Sequence, residues 1–138
     1  MTSGAGPLEA NLPEVLAEVR AVFERYERAL NDNDVATLNE LFFDGPGVVR
    51  YGVGEQLYGA EAIAAFRAGR DTIDLRRKLQ RVAIATYGRD FATASCEYVR
   101  NATGRFGRQS QTWMRTPAGW RVIAAHVSLP DKPTPSFG

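Results

Sequence analysis

From Leu12 onward apolar residues return every three or four positions: Leu12, Val15, Leu16, Val19, Val22, Phe23, Tyr26 and Leu30. That spacing winds one apolar stripe along a helix. Glu18, Arg20, Glu24, Arg25 and Glu27 fall mostly off it. The helix is predicted to start at Asn11-Leu12-Pro13-Glu14. There Asn11 caps, Pro13 suits the first turn and Glu14 completes a capping box. It should reach about Asn31, roughly 30 Å at 1.5 Å per residue. Asn31-Asp32-Asn33-Asp34 then breaks it and caps a second helix, Val35–Phe42.

Asp44-Gly45-Pro46-Gly47 is a turn cluster. Val48–Gly52 and the piece ending at Leu57-Tyr58-Gly59 read as a small hairpin. Ala60–Ala68, with Ile63 and Phe66 on one side, is a third helix stopped by Gly69. The period then changes. Lys78–Tyr87, Phe91–Arg100, Arg108–Thr116 and Trp120–Ser128 are rich in β-branched and aromatic residues and are separated by turn clusters. They predict an antiparallel meander of four strands. Helices first and strands after imply an α+β fold. A long twisted sheet with a helix across its concave face forms a cone, and its open end is a natural pocket. Residues 1–10 read as a loose leader, 11–130 as one domain and 131–138 as a loose tail.

Composition narrows the function. The 17 basic and 16 acidic side chains give a net charge of +1, which argues against nucleic-acid binding. The local basic run, Arg70, Arg76-Arg77-Lys78 and Arg81, reads as a solvated strand edge. No apolar run approaches the ~18 residues of a membrane span. Met1–Pro7 lacks the basic-then-apolar order of a signal peptide, so a cytoplasmic protein without membrane contact is expected. Cys96 is the one cysteine, so no internal disulfide forms, and its surroundings predict a small buried thiol. One histidine and one cysteine cannot make a zinc set, and no dinucleotide or phosphate-loop pattern occurs. No metal or cofactor is expected.

Arg50 stands in Val48-Val49-Arg50-Tyr51-Gly52, among apolar and β-branched neighbours. A guanidinium pointing into the fold needs a negative partner, because an unpaired buried charge costs several kcal/mol. Two partners are open: an internal acid such as Glu97, or the carboxylate of a bound molecule. The second is the working expectation. Tyr26, on the helix stripe, reads as a core tyrosine or as a site hydroxyl. Arg67, near the end of the third helix, reads as a surface pair. His126, the sole histidine, lies in Ala124-Ala125-His126-Val127-Ser128. Alternation puts it on one strand face with Val122, Ala124 and Ser128, where small neighbours leave room for a ligand. A lone histidine among small apolar residues is more often a satisfied core group than a base or ligand.

Several blocks carry a resemblance: Phe23-Glu24-Arg25-Tyr26-Glu27-Arg28-Ala29-Leu30, Val49-Arg50-Tyr51-Gly52, Tyr87–Ala94, Gly107–Arg115, and Gly119-Trp120-Arg121-Val122 with Ala124–Ser128. Over roughly Leu12–Leu129 the chain resembles the nuclear-transport-factor-like (SnoaL-like, cystatin-like cone) superfamily, and within it the AtzH-like family. That family accompanies amidase-family enzymes in bacterial breakdown of ureides and cyanuric acid. The resemblance implies conversion of 1,3-dicarboxyurea to allophanate by an amidohydrolase or decarboxylase. It implies a catalytic pair at Tyr26 and Arg50; His126, Ser128 and Trp113 are further substrate-binding candidates beside that pair. A guanidinium grips a carboxylate through two parallel hydrogen bonds, and a phenol can donate a proton. A small anionic substrate, a homodimer and association with an amidase are the expected partners. A non-catalytic accessory dimer is the alternative.

Overall fold

The computed structural model describes residues 8–131. Helix α1 spans Pro13–Asn31 and buries Val15, Val19, Phe23, Tyr26, Ala29 and Leu30, the stripe read from the sequence. Its start differs from expectation. Leu12 occupies the cap position and no side chain caps the helix. Asn11 instead adopts a positive φ of 59° and binds Thr86 twice. Its backbone N–H donates to the Thr86 carbonyl and its Oδ1 accepts from the Thr86 N–H, both at 2.9 Å. The open groups of a strand end, far away in sequence, outcompete the nearby helix. Gly88 N–H also donates to the Glu9 carbonyl, so Glu9 and Ala10, the end of the expected leader, are tied with Asn11 to that strand end. Residues 1–7 of the expected leader and 132–138 of the expected tail lie outside the described residues.

Helix α2, Val35–Leu41, is capped as predicted, with Asp34 accepting from Thr37 N–H. Strands β1 (Val49–Tyr51) and β2 (Gln56–Tyr58) form the short hairpin, and α3 spans Ala60–Gly69. Strands β3 (Arg77–Tyr87), β4 (Phe91–Arg100), β5 (Phe106–Thr116) and β6 (Gly119–Ser128) form the meander. One six-stranded sheet results, ordered β2-β1-β6-β5-β4-β3. Every junction is antiparallel except β1 on β6.

The inner face presents Ala92, Ala94, Cys96 and Tyr98 from β4, and Gln109, Gln111 and Trp113 from β5. Helix α1 lies across it. Bulges interrupt the ladders between Leu79 and Arg81 and between Thr112 and Trp113. Such irregularities bend a sheet and raise its twist, and here they help wrap it around the helix. The second one matters for function. Thr112 faces Ala124 while Trp113 faces Val122, so Ile123 is the extra residue on β6. Beyond it the alternation reverses: Ala125 and Val127 turn inward, and Ala124, His126 and Ser128 turn outward.

Candidate active site

The open end of the cone is a cavity of about 490 Å³ between α1, β1, α3, the 70–76 loop and the ends of β3 to β6. Tyr26 and Arg50 both line it. Tyr26 is wedged by two aromatic rings. It meets Trp113 edge-on at 6.2 Å and 86°, and Phe42 at 6.3 Å. Packed on both sides, the phenol has little freedom to turn.

Arg50 lies opposite Ala125 on β6 and Leu57 on β2. The small Ala125 leaves space on the inner face for the guanidinium, which stacks over Phe66 at 5.3 Å. Among the described residues its side-chain hydrogen bond runs from Nη1 to Glu55 Oε2 at 3.2 Å. So an internal acid does reach Arg50, against the working expectation that only a guest supplies the negative charge. That acid is not Glu97, which alternates outward between the inward Cys96 and Tyr98. Glu55 comes from the β1–β2 turn and also accepts from Gly54 N–H at 3.2 Å. A single hydrogen bond leaves the rest of the Arg50 fork for another anion.

More guanidinium groups surround these two. Arg77 is nearly buried, not part of a solvated edge. Its Nε and Nη2 grip the two Glu27 oxygens at 2.9 and 2.8 Å, Nη2 also donates to Gln109 Oε1 at 3.1 Å, and the group stacks over Tyr98 at 4.3 Å. Burial alone would lower its pKa, but the Glu27 hydrogen bonds and charge reverse this and hold it above the ordinary arginine value. Arg100 pairs with Asp74 at 3.3 Å. Arg67, expected at the surface, is only 2% exposed. It donates from Nη1 to Asn39 Oδ1 at 3.0 Å and lies over the Phe42 ring at 4.4 Å. Burial lowers the pKa of Arg67; the neighbouring Tyr26 opposes that shift and Arg50 adds to it. Arg70, also a cavity residue, is lowered by burial and then by Arg67. Among the described residues, neither Arg67 nor Arg70 has an ion pair.

Three other expected site residues are elsewhere. His126 and Ser128 lie on the outer face, because the Ile123 bulge reverses their alternation. The His126 ring packs edge-on against Tyr51 at 5.7 Å, and Ser128 Oγ accepts from Arg108 Nε at 3.3 Å. Trp113 is fully buried beneath Tyr26 and donates Nε1–H to Gln111 Oε1 at 3.1 Å. It supports the tyrosine and does not line the cavity. Cys96 is buried as predicted, and burial pushes its pKa up to about 11, which suits packing and not nucleophilic attack. Sequence reasoning missed Glu55, Arg70 and Arg77. For Arg77 a signal existed: it shares alternation with the apolar Leu79.

The AtzH-like family pattern matches residues 8–133. The chain belongs to the AtzH-like family. Several solved structures are similar to this chain over most of its length. A Pectobacterium atrosepticum protein of unknown function is 52% identical, with a TM-score of 0.85 over 88% of this chain and 95% of that one. A Burkholderia xenovorans cystatin-like fold protein is 48% identical, with a TM-score of 0.86 over 91% and 99%. An NTF2-like protein of unknown function from Pseudomonas putida, at 20% identity and a TM-score of 0.73 over 86% and 89%, shares the fold. No curated protein matches the sequence. The AtzH-like chain thus has the NTF2-like, cystatin-like architecture, and none of its described helices is long and apolar enough to cross a membrane.

Proposed function

We propose that this AtzH-like protein is an enzyme that converts 1,3-dicarboxyurea to allophanate in ureide or cyanuric acid nitrogen catabolism. The observation that carries the reading is the convergence of Tyr26 from α1 and Arg50 from β1 on one cavity. Arg50 grips a terminal carboxylate with the part of its fork that Glu55 leaves open. The bond from that carboxyl carbon to nitrogen breaks, and CO₂ departs. The bonding pair stays on nitrogen, which takes a proton from the Tyr26 hydroxyl. Solvent then reprotonates the phenolate. Loss of CO₂ is favoured over hydrolysis because His126 and Ser128, the candidates for holding a water, lie on the opposite sheet face. The recess keeps the donor and the charge fixed and partly dry, where both act more strongly than in water.

One observation favours a second reading, a non-catalytic dimer that binds a ureide or docks on an amidase. No histidine lines the cavity among the described residues. One assay separates the two. Purified protein is mixed with 1,3-dicarboxyurea, and CO₂, ammonia and allophanate are followed, with Arg50→Ala and Tyr26→Phe alongside. The enzyme reading expects turnover that falls by about a hundredfold or more in each variant. A wild-type protein without turnover, or two variants that keep it, would leave only the accessory reading.

A further inference from the structure

Within this cavity one arginine shows what a resident carboxylate looks like. Arg77 presents its Nε and Nη2 edge, and Glu27 fills that edge with both oxygens. On Arg67 and Arg70 the same two atoms, Nε and Nη2, are buried without a hydrogen-bond partner of good geometry, although the Tyr26 hydroxyl lies close enough to Arg67 to support its charge. These are the two parallel donors that match a carboxylate. Leaving four such donors buried and unsatisfied is costly, and native proteins rarely do it without a functional reason. The charges agree. Arg50 has Glu55, Arg77 has Glu27 and Arg100 has Asp74, while Arg67 and Arg70 have no carboxylate among the described residues. Each of the two is also electrostatically coupled to Arg50, so the three cations share one neighbourhood.

We infer that Arg70, backed by the buried Arg67, is a second anion-gripping arm of the cavity, the one that receives the ligand carboxylate that Arg50 does not hold. The inference rests on the reading of Arg50 as the first arm and adds the specificity it lacks. Arg70 follows the last residue of α3 and lines the cavity directly. Arg67 sits one helical turn earlier, behind Tyr26 and Phe42, and serves as a fixed positive charge more than as a contact. The division of labour suits the proposed chemistry. An arm that holds the departing carboxylate too firmly would stabilise the ground state and slow its loss. Arg50 shares its charge with Glu55 and so grips moderately. Arg70 has no carboxylate hydrogen-bonded to it among the described residues, Glu55 acting on it only through charge, and it holds the carboxylate that survives in the product. A ligand with one carboxylate would leave one arm empty and be discriminated against on that ground.

The test uses stable ligands. Glutarate has the five-atom backbone of a dicarboxylated urea, and its monomethyl ester lacks one charge. Both are titrated calorimetrically into wild type, Arg50→Ala, Arg70→Ala and Arg70→Gln, with circular dichroism to confirm folding. Wild type should bind glutarate about ten- to a hundredfold more tightly than the ester, the range expected for one charge-assisted pair. Both Arg70 variants should bring glutarate down to the level of the ester and leave the ester unchanged. Arg50→Ala should weaken both ligands. Equal affinity for diacid and ester in wild type, or Arg70 variants that still prefer the diacid, overturns the second arm. If instead Arg50→Ala changes neither ligand while Arg70→Ala does, the reading of Arg50 fails and the Arg70 site stands.

Discussion

The Glu55 carboxylate occupies the space where a side chain on residue 52 would begin. A Cβ built on Gly52 would overlap both Glu55 oxygens. Glycine at 52 therefore admits the acid that partners Arg50. Gly52→Ala and Glu55→Gln should act alike, since each removes the internal competitor for the guanidinium. Both should tighten glutarate binding by about fivefold, or ~1 kcal/mol, as one charged hydrogen bond is released. Turnover should fall rather than rise, because the tighter hold acts on the ground state. Calorimetry and steady-state kinetics on the two variants check this. Unequal effects would mean that Glu55 does more than compete.

The Arg77–Glu27 pair is a structural support of the cavity, with both partners largely buried. Glu27→Ala should destabilise the protein by about 3–5 kcal/mol, because it strands a buried guanidinium. The double variant Glu27→Leu with Arg77→Met should recover much of that loss. Urea unfolding of the three proteins tests the expected non-additivity.

Burial raises the Cys96 pKa from an ordinary 9.0 to about 11. Below pH ~9 the folded and unfolded chains both keep the thiol proton, and Cys96 adds no slope. Above it the unfolded chain loses the proton first. Stability should therefore fall as pH rises from about 9 to about 11, by roughly 2–3 kcal/mol over that window. Cys96→Ala should lack this component when its unfolding is compared with wild type at each pH. A thiol reagent at pH 8 should label the native protein only through unfolding.

We further propose that two copies pair through the outer sheet face. That face carries the small residues Ser95 and Ser110, whose hydroxyls lie 3.0 Å apart, and the exposed aromatics Tyr51, Tyr58, Tyr87 and Phe91. Tyr51 and Tyr58 already bond to each other at 3.0 Å. Light scattering should give a homodimer, and Ser110→Arg, at the centre of the face, should shift it to monomer. A wild-type monomer at every concentration would remove this proposal.

Much of the fold was legible because long amphipathic and alternating segments report their own periods. The stripe from Val15 to Leu30 locates α1, and Asp34 locates the start of α2. What was not legible depends on partners distant in sequence. Asn11 looks like a helix cap until Thr86 is beside it. Arg67, Arg70 and Arg77 look solvated because a sequence shows a charge without its neighbours. Strict alternation places His126 and Ser128 on one face with Val122, and one inserted residue at Ile123 reverses that alternation. Tyr26 and Arg50 both face the cavity, one on an unbroken helical stripe and the other on a strand whose pairings carry no bulge.

Strand β1, which carries Arg50, is three residues long and is held in the sheet between β2 and β6. One of its two anchors, β6, is therefore a strand that leaves the ribosome well after β1 does. A nascent chain can wind α1 and close the small hairpin early, yet its binding recess stays unassembled until residues 119–128 dock. A chain that stops short of residue 119 has no finished recess for a ligand to stabilise.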